Sequence, residues 1–187
     1  MSSVKMEVPS YYRRLNEYFP SQELKHPDHL TDLVRNEPFY HKWETGDALL
    51  LFAEFQKFLF VDYLLVDSRV RGRGIGATLL HKLQSRNKPI VLEIEPPDEH
   101  QPDTVRRRNF YHKCGFKPAE GVLYERIDAG SPFVMDIWYW SEKSPLPDRT
   151  VLGMMSTVCT KVHNHQSDRY YEQPPAEPDK VLSLAQT

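Results

Sequence analysis

The stretch that most constrains this chain is residues 62–86, DYLLVDSRVRGRGIGATLLHKLQSR. An apolar run typical of a β-strand passes into a glycine-rich loop at 71–76, and apolar residues at helical spacing follow the loop. Glycine permits positive φ and leaves room for a ligand, so backbone N–H groups can face an anion at the positive end of the helix. The order strand, glycine loop, helix therefore predicts a binding site for a phosphate or pyrophosphate.

The glycine loop also has competing interpretations. Gly72, Gly74 and Ala77 satisfy the dinucleotide pattern G-x-G-x-x-G/A, and Glu93 lies about where that fold needs its ribose-binding acid. A doubly wound sheet, however, needs further strand and helix pairs after the loop, whereas this chain has one more helix and then antiparallel strands. A Walker motif is excluded because no Gly-Lys-Ser/Thr follows. The dinucleotide-binding domain and a plain glycine-rich turn stay open as less favoured alternatives.

A second motif lies in RRNFYHKCGF, residues 107–116. The pattern R-x-x-G-x-G at 71–76 after a strand, with Y-x-x-x-G-F at 111–116 one strand and one helix later, resembles the GNAT family of N-acetyltransferases, in its small single-domain bacterial form. The resemblance is strongest over residues 49–139. It implies an α/β (α+β) fold with a mixed, mostly antiparallel central sheet flanked by helices.

Hydrophobic periodicity places the remaining elements, and the chain is long enough for one domain over 1–187. We expect helices and strands in this order: helices 10–19 and 27–35, a strand hairpin 48–55 and 57–66, the loop's helix, strand 90–95, a helix from 103 to Gly115, strands 116–127 and 133–140, and a C-terminal helix 148–163 with an irregular tail up to 187. The two N-terminal helices either cover one face of the sheet, as the resemblance implies, or act as lids over an acceptor site.

The resemblance implies acetyl-CoA as co-substrate. The loop amides would hold the pyrophosphate, the basic side chains of the loop would add charge, and the pantetheine would lie beside the preceding strand. The implied cofactor-binding residues are Leu64, Leu65, Val66, Arg71, Gly72, Arg73, Gly74, Ile75, Gly76, Ala77 and Asn109. Asn109 is near Tyr111 but out of register, because the family often carries Asn seven residues before the tyrosine and Thr104 stands there.

Two residues are predicted to be catalytic. Tyr111 occupies the family's tyrosine position, where a phenol protonates the departing thiolate; the alternative is a packed aromatic on an amphipathic helix. An alkyl ammonium has a pKa near 10.4, so a base must remove its proton before attack. Glu93 is the predicted base, followed by Glu95 and Asp62, and the alternative is that these carboxylates are solvated or paired.

Composition limits the function classes. With 24 Lys and Arg against 26 Asp and Glu, no general basic field exists to attract nucleic acid. No apolar run approaches the ~20 residues that span a bilayer, and the two cysteines, Cys114 and Cys159, indicate reduced thiols rather than a disulfide framework. His163 and His165 lack further ligands at zinc spacing, so no metal is expected. We expect a cytoplasmic protein without a membrane or nucleic-acid partner.

The sequence therefore predicts an acetyl-CoA-dependent N-acyltransferase that moves an acetyl group to a primary amine of a small molecule or a protein. Its oligomeric state is left open between monomer and homodimer. A different class of function also stays open, in which the domain binds CoA or acyl-CoA without transferring anything.

Overall fold

In the part of the chain that the structure describes, seven strands form one mixed sheet. The computed structural model describes residues 7–128, 131–143, 145–172 and 176–186. The elements are α1 Ser10–Tyr18, α2 Pro27–Asn36, β1 Tyr40–Glu44, β2 Ala48–Glu54, β3 Leu59–Val66, α3 Ile75–Gln84, β4 Ile90–Ile94, α4 Pro102–Lys113, β5 Lys117–Asp128, β6 Ser131–Trp140, α5 Asp148–Val158, α6 Ser167–Tyr170, α7 Pro178–Val181 and β7 Leu182–Leu184. A 3-10 turn at Ser68–Val70 and a π-helical turn at Cys159–His163 complete the set.

The strand order is β1-β2-β3-β4-β6-β5-β7, and every neighbouring pair is antiparallel except β3 and β4. This confirms the mixed, mostly antiparallel sheet. The parallel pairing of β3 with β4 ends at Val61 opposite Leu92, although β3 continues to Val66. The side of β3 that faces β4 is therefore open over residues 62–66, and its backbone groups can pair with a ligand there.

A bulge in β3 lies at the point where the two parallel strands part. Leu51 of β2 pairs with Tyr63 and Phe52 pairs with Val61, so Asp62 is an extra residue of β3 with no partner in β2. A bulge bends its strand and increases the local twist. The bend therefore coincides with the gap between β3 and β4.

The sheet separates two hydrophobic cores. Helices α1, α2 and α5 pack on one face, where Leu15, Leu30 and Val151 are fully buried, and α3 and α4 pack on the other. Strand alternation explains this division, because Val91 belongs to the first core while Leu92 belongs to the second. The N-terminal helices thus cover one face of the sheet, which is the first of the two arrangements that the sequence left open.

Two strands were not predicted. β1 is an edge strand in which only Tyr40 is buried, so its YHKWE sequence carries almost no apolar alternation. β7 corrects the expectation of a wholly irregular tail: its three residues pair with β5, and Leu182 is buried against the first core. A three-residue strand is specified by its partner strand and by tertiary packing, which a proline-rich local sequence does not reveal.

The described residues include no helix with both the length and the apolar character needed to cross a bilayer. Cys114 and Cys159 are both buried and free.

Candidate functional site

A cleft of about 1440 Å³ opens beside the gap between β3 and β4. The connection between α1 and α2, the middle of β3, and parts of β4, α4, β5, β6 and the C-terminal segment line it. Tyr111 and Glu93, the two residues predicted to be catalytic, both face this cleft. The charged or titratable residues that sequence reasoning did not single out as catalytic, and that also line it, include Glu23, Arg107 and His163.

The glycine loop has the geometry that an anion requires. Gly72 and Gly74 have φ values of 81° and 78°, and a Cβ added to either would meet nothing within 4 Å. The amide of Thr78 donates to the carbonyl of Gly74 at 2.9 Å, so the amides that precede Thr78 have no partner inside α3. These open donors at the N-terminus of a ten-residue helix suit a phosphate or pyrophosphate.

The third glycine of the loop has a packing role. A Cβ on Gly76 would lie 3.0 Å from Cζ of Phe110, on α4, and 3.4 Å from Val66. Gly76 therefore allows α3 to approach both the end of β3 and α4 closely. This contact holds the glycine loop in a fixed position relative to Tyr111, which follows Phe110 directly. Ile75 and Ala77, on either side, are half-buried.

The two arginines predicted to contact the cofactor have different surroundings. Nε of Arg71 donates to the carbonyl of Val66 at 3.2 Å, and its guanidinium lies 4.8 Å from the ring centroid of Tyr18. Arg71 thus connects the loop to β3 and α1. Arg73 is exposed at the loop.

Of the strand residues predicted to flank the cofactor, Leu65 turns its side chain into the first core, while its neighbours Leu64 and Val66 are half-buried.

Asn109 lies exposed on α4. Thr104, which stands at the position where the family often has Asn, is buried in the first turn of α4 and binds the loop before the helix instead. Its Oγ1 accepts from the amide of Asp98 at 2.9 Å and donates to the carbonyl of Gln101 at 2.8 Å. The side chain at the family's Asn position is therefore committed to the start of α4, and a cofactor contact by Asn109 stays a prediction.

Tyr111 is both packed and in the cleft. Its side chain is 6% exposed, and its ring meets Phe110 and Phe116 edge to face at 5.1 and 5.6 Å. Burial raises the pKa of Tyr111 well above its usual value, with the charge of Arg107 opposing the shift. The phenol is therefore protonated at neutral pH and can act as a proton donor.

Glu93 is paired with a histidine. Its Oε1 lies 2.6 Å from Nε2 of His163, and both side chains are largely buried. Burial alone would raise the pKa of Glu93, but the charge and the hydrogen bond of His163 outweigh it and lower that pKa below its usual value. Glu93 is thus ionised at neutral pH. The other histidine, His165, binds Asp32 at 2.6 Å. Across the described ranges, no group of three or more His, Cys, Asp and Glu side chains is arranged to hold a metal ion.

The other two candidate bases have different surroundings. The carboxylate of Asp62 accepts from Nζ of Lys25 at 2.7 Å and from the hydroxyl of Tyr40 at 2.5 Å, so it belongs to a buried ion pair. Glu95 lies just past β4 and meets Nη1 of Arg107 at 3.5 Å. The same Nη1 is 3.8 Å from Oε2 of Glu23. Burial first, and then the charge of Glu95, raise the pKa of Glu23 to about 7.

Comparison with known proteins gives a family match, a protein of similar sequence and two solved structures of similar fold. Residues 42–118 match the family described as "Acetyltransferase (GNAT) domain". The chain is 38% identical over 178 residues to a Bacillus subtilis (strain 168) protein named "Putative acetyltransferase YjbC", a match that covers 94% of this chain and 92% of the relative.

Two solved structures share the fold. A Bacteroides thetaiotaomicron protein described as "Putative acetyltransferase from GNAT family" is 22% identical with a TM-score of 0.64, and the match covers 80% of this chain and 91% of that one. Arabidopsis thaliana Naa50, solved in complex with the bisubstrate analogue CoA-Ac-MVNAL, is 18% identical with a TM-score of 0.52, covering 71% of this chain and 91% of its own.

Proposed function

The chain belongs to the GNAT family of N-acetyltransferases, and we propose that it transfers the acetyl group of acetyl-CoA to a primary amine of a small molecule or a protein. The observation that carries the proposal is one arrangement: the open side of β3 and Tyr111 border the same cleft, and the glycine loop, with backbone amides that have no partner inside α3, lies just past the end of that strand. A single acetyltransferase domain over 1–187 is part of the proposal, supported by a sheet whose described strands run from Tyr40 to Leu184.

Acetyl-CoA is the acetyl donor of the family. In the proposal the backbone amides of the loop bind its pyrophosphate, Arg73 adds positive charge, and the open edge of β3 at Leu64, Leu65 and Val66 pairs with the pantetheine. That open edge is what an extra strand needs, because N–H and C=O groups without a strand partner remain available there. The complex of the Arabidopsis protein with a CoA bisubstrate analogue supports this use of the fold.

The chemistry requires a proton for the departing thiolate and a route for the protons that leave the amine. The amine nitrogen attacks the acetyl carbonyl carbon, a carbon–nitrogen bond forms, and the carbon–sulfur bond breaks. We assign Tyr111 as the donor to sulfur, since its phenol is protonated and lines the cleft. Glu93 remains the proposed base, because an ionised carboxylate held by His163 can take a proton from the amine nitrogen.

The test combines binding with turnover. Acetyl-CoA should raise the unfolding midpoint, because a ligand that prefers the native state stabilises it, whereas NAD should not. Release of the CoA thiol in the presence of a panel of primary amines should then exceed release without amine. Equal stabilisation by NAD would favour the dinucleotide alternative. Acetyl-CoA binding with no amine-dependent thiol release across the panel would favour the non-catalytic binding module, for which the deep burial of Tyr111 is the specific supporting observation.

A further inference from the structure

We propose that Glu23 is a second catalytic carboxylate, which binds the ammonium group of the acceptor and takes its first proton before attack. The inference rests on the proposed acetyl transfer and specifies its acceptor: an amine that arrives as a cation. Glu23 lies in the connection between α1 and α2, far in sequence from both motifs that indicated the site.

The carboxylate of Glu23 is buried, and one of its two oxygens lacks a hydrogen-bond partner in the part of the chain that the structure describes. Its side chain is 8% exposed, and within the described residues its Oε1 has no solvent contact and no hydrogen-bond donor. A buried polar atom without a partner destabilises a fold, so such an atom in a cleft marks a place where a ligand supplies the missing donor. The donor required here is an N–H or O–H group.

The charged side chains around Glu23 indicate which charge that ligand should carry. Glu23 and Glu95 flank a single guanidinium, that of Arg107, which lies 3.8 and 3.5 Å from their nearer oxygens. When both carboxylates are ionised the group carries a net charge of −1. Lys25, a lysine that also lines the cleft, is engaged by Asp62 at 2.7 Å. A cation with N–H donors therefore completes the group, and an alkyl ammonium has both properties.

The position of this group suits catalysis. Arg107 and Tyr111 are one turn apart on α4, so the guanidinium that lies between the two carboxylates and the proposed acid project from the same side of that helix. Burial and the charge of Glu95 raise the pKa of Glu23 to about 7, and the charge of Arg107 opposes the shift. A hydrogen bond with Glu95 and the charge of Glu93 add to the increase. A base whose pKa lies near the working pH is ionised in a large fraction of the molecules and still has a high affinity for a proton. Glu93 differs, because its pKa is lowered and its carboxylate is held by His163.

The proton balance assigns separate roles to the three residues. Glu23 takes one proton from the ammonium and leaves a neutral amine with a free electron pair. The amine attacks, and Glu93 takes the second proton from nitrogen as the amide forms. Tyr111 gives one proton to sulfur as the carbon–sulfur bond breaks. Two protons leave nitrogen and one reaches sulfur, so one proton is released to solvent in each turnover.

Two amines of similar size test the inference: an alkylamine that is charged at the assay pH and an aromatic amine that is not. Glu23→Gln should lower kcat/KM for the alkylamine by at least about ten-fold at pH 7 and change the value for the aromatic amine by less than about three-fold. The wild-type kcat/KM for the alkylamine should fall as pH drops through about 7, and Glu23→Gln should lose this limb. Glu23→Asp should retain it.

Controls separate the possible failures. Glu99→Gln, at an exposed loop position, should match wild type, and acetyl-CoA affinity should be unchanged in Glu23→Gln. Equal losses for both amines, or an unaltered pH limb in a folded Glu23→Gln protein, would overturn the role of Glu23 while leaving acetyl transfer intact. A wild-type enzyme that releases no thiol with these two amines or with any other amine of the panel would overturn the proposed function together with this inference.

Discussion

Nε2 of His163 lies 2.6 Å from Oε1 of Glu93, and this pair joins the π-helical turn after α5 to the central strand β4. The two residues are 70 positions apart, and His163 also packs edge-on against Phe60 at 5.7 Å. π-Helical turns occur frequently at functional sites. The C-terminal segment therefore contributes a hydrogen-bond partner for Glu93 to the cleft.

The Glu93–His163 pair gives a prediction about pH. Because the pKa of Glu93 is lowered below its usual value, the carboxylate stays ionised between pH 6 and pH 9. Glu93→Gln should therefore reduce kcat/KM by a similar factor, about ten-fold, across this range. The measurement is a pH–rate profile with an alkylamine, and Glu99→Gln serves as control. A defect that disappears toward the acidic end of the range would show that Glu93 titrates there and would remove this assignment.

Tyr111→Phe separates binding from chemistry. The substitution keeps the ring that packs against Phe110 and Phe116 and removes only the hydroxyl, so stability and acetyl-CoA affinity should hold. Turnover should fall by ~10²-fold or more if the phenol protonates the leaving thiolate. Calorimetry with acetyl-CoA and initial rates measure the two quantities. Wild-type turnover in a folded variant would leave Tyr111 with a packing role, in which case only Tyr111→Ala would be harmful, through a cavity that costs on the order of 3 kcal/mol.

The glycine loop offers a pair of substitutions matched in size. Gly74 has φ 78° and open space around it, so a side chain there meets no atom of the protein but enters the proposed phosphate site. Gly74→Asp and Gly74→Asn add nearly the same volume, and both residue types tolerate positive φ better than most. The Asp variant should bind acetyl-CoA at least about ten-fold more weakly than the Asn variant, because only the Asp variant adds a negative charge. Equal affinities would place the pyrophosphate elsewhere.

The sequence was informative where local pattern determines structure. Glycines with a strand before them and a helix after them predicted the loop, and the spacing from the loop to Tyr111 predicted the family. The sequence did not predict contacts between residues that are far apart in the chain. Glu23 has no neighbouring motif, and its surroundings arise only because Glu95 and Arg107 come from two other elements. His163 was considered only as a metal ligand, since nothing in the local sequence indicates that β4 supplies its carboxylate partner.

His29 gives the last prediction, which concerns stability. Its ring is fully buried; Nε2 lies 2.9 Å from the carbonyl of Val162 and Nδ1 lies 2.9 Å from the hydroxyl of Tyr171. The carbonyl can only accept, so Nε2 carries the proton and Nδ1 accepts from the tyrosine. Burial and the charge of Lys25 lower the pKa of His29 to about 3. These contacts attach the segment after α5 to α2, so that the stability of this attachment should depend on the protonation of one ring.

Below the ordinary histidine pKa of about 6.5, the unfolded chain binds a proton that the native ring does not, so stability is lost as pH falls from 6.5 toward 3. Between pH 7 and pH 4.5 the free energy of unfolding should fall more for the wild type than for His29→Gln, which has no ring to titrate at this position. The expected difference is of the order of 2 kcal/mol. At pH 7 His29→Gln should be the less stable protein, because it disturbs two buried hydrogen bonds. Tyr171→Phe keeps the histidine and should keep the pH slope. Urea unfolding of the three proteins at pH 7, 6, 5 and 4.5 makes the comparison, and parallel curves for wild type and His29→Gln would show that the ring does not titrate on unfolding.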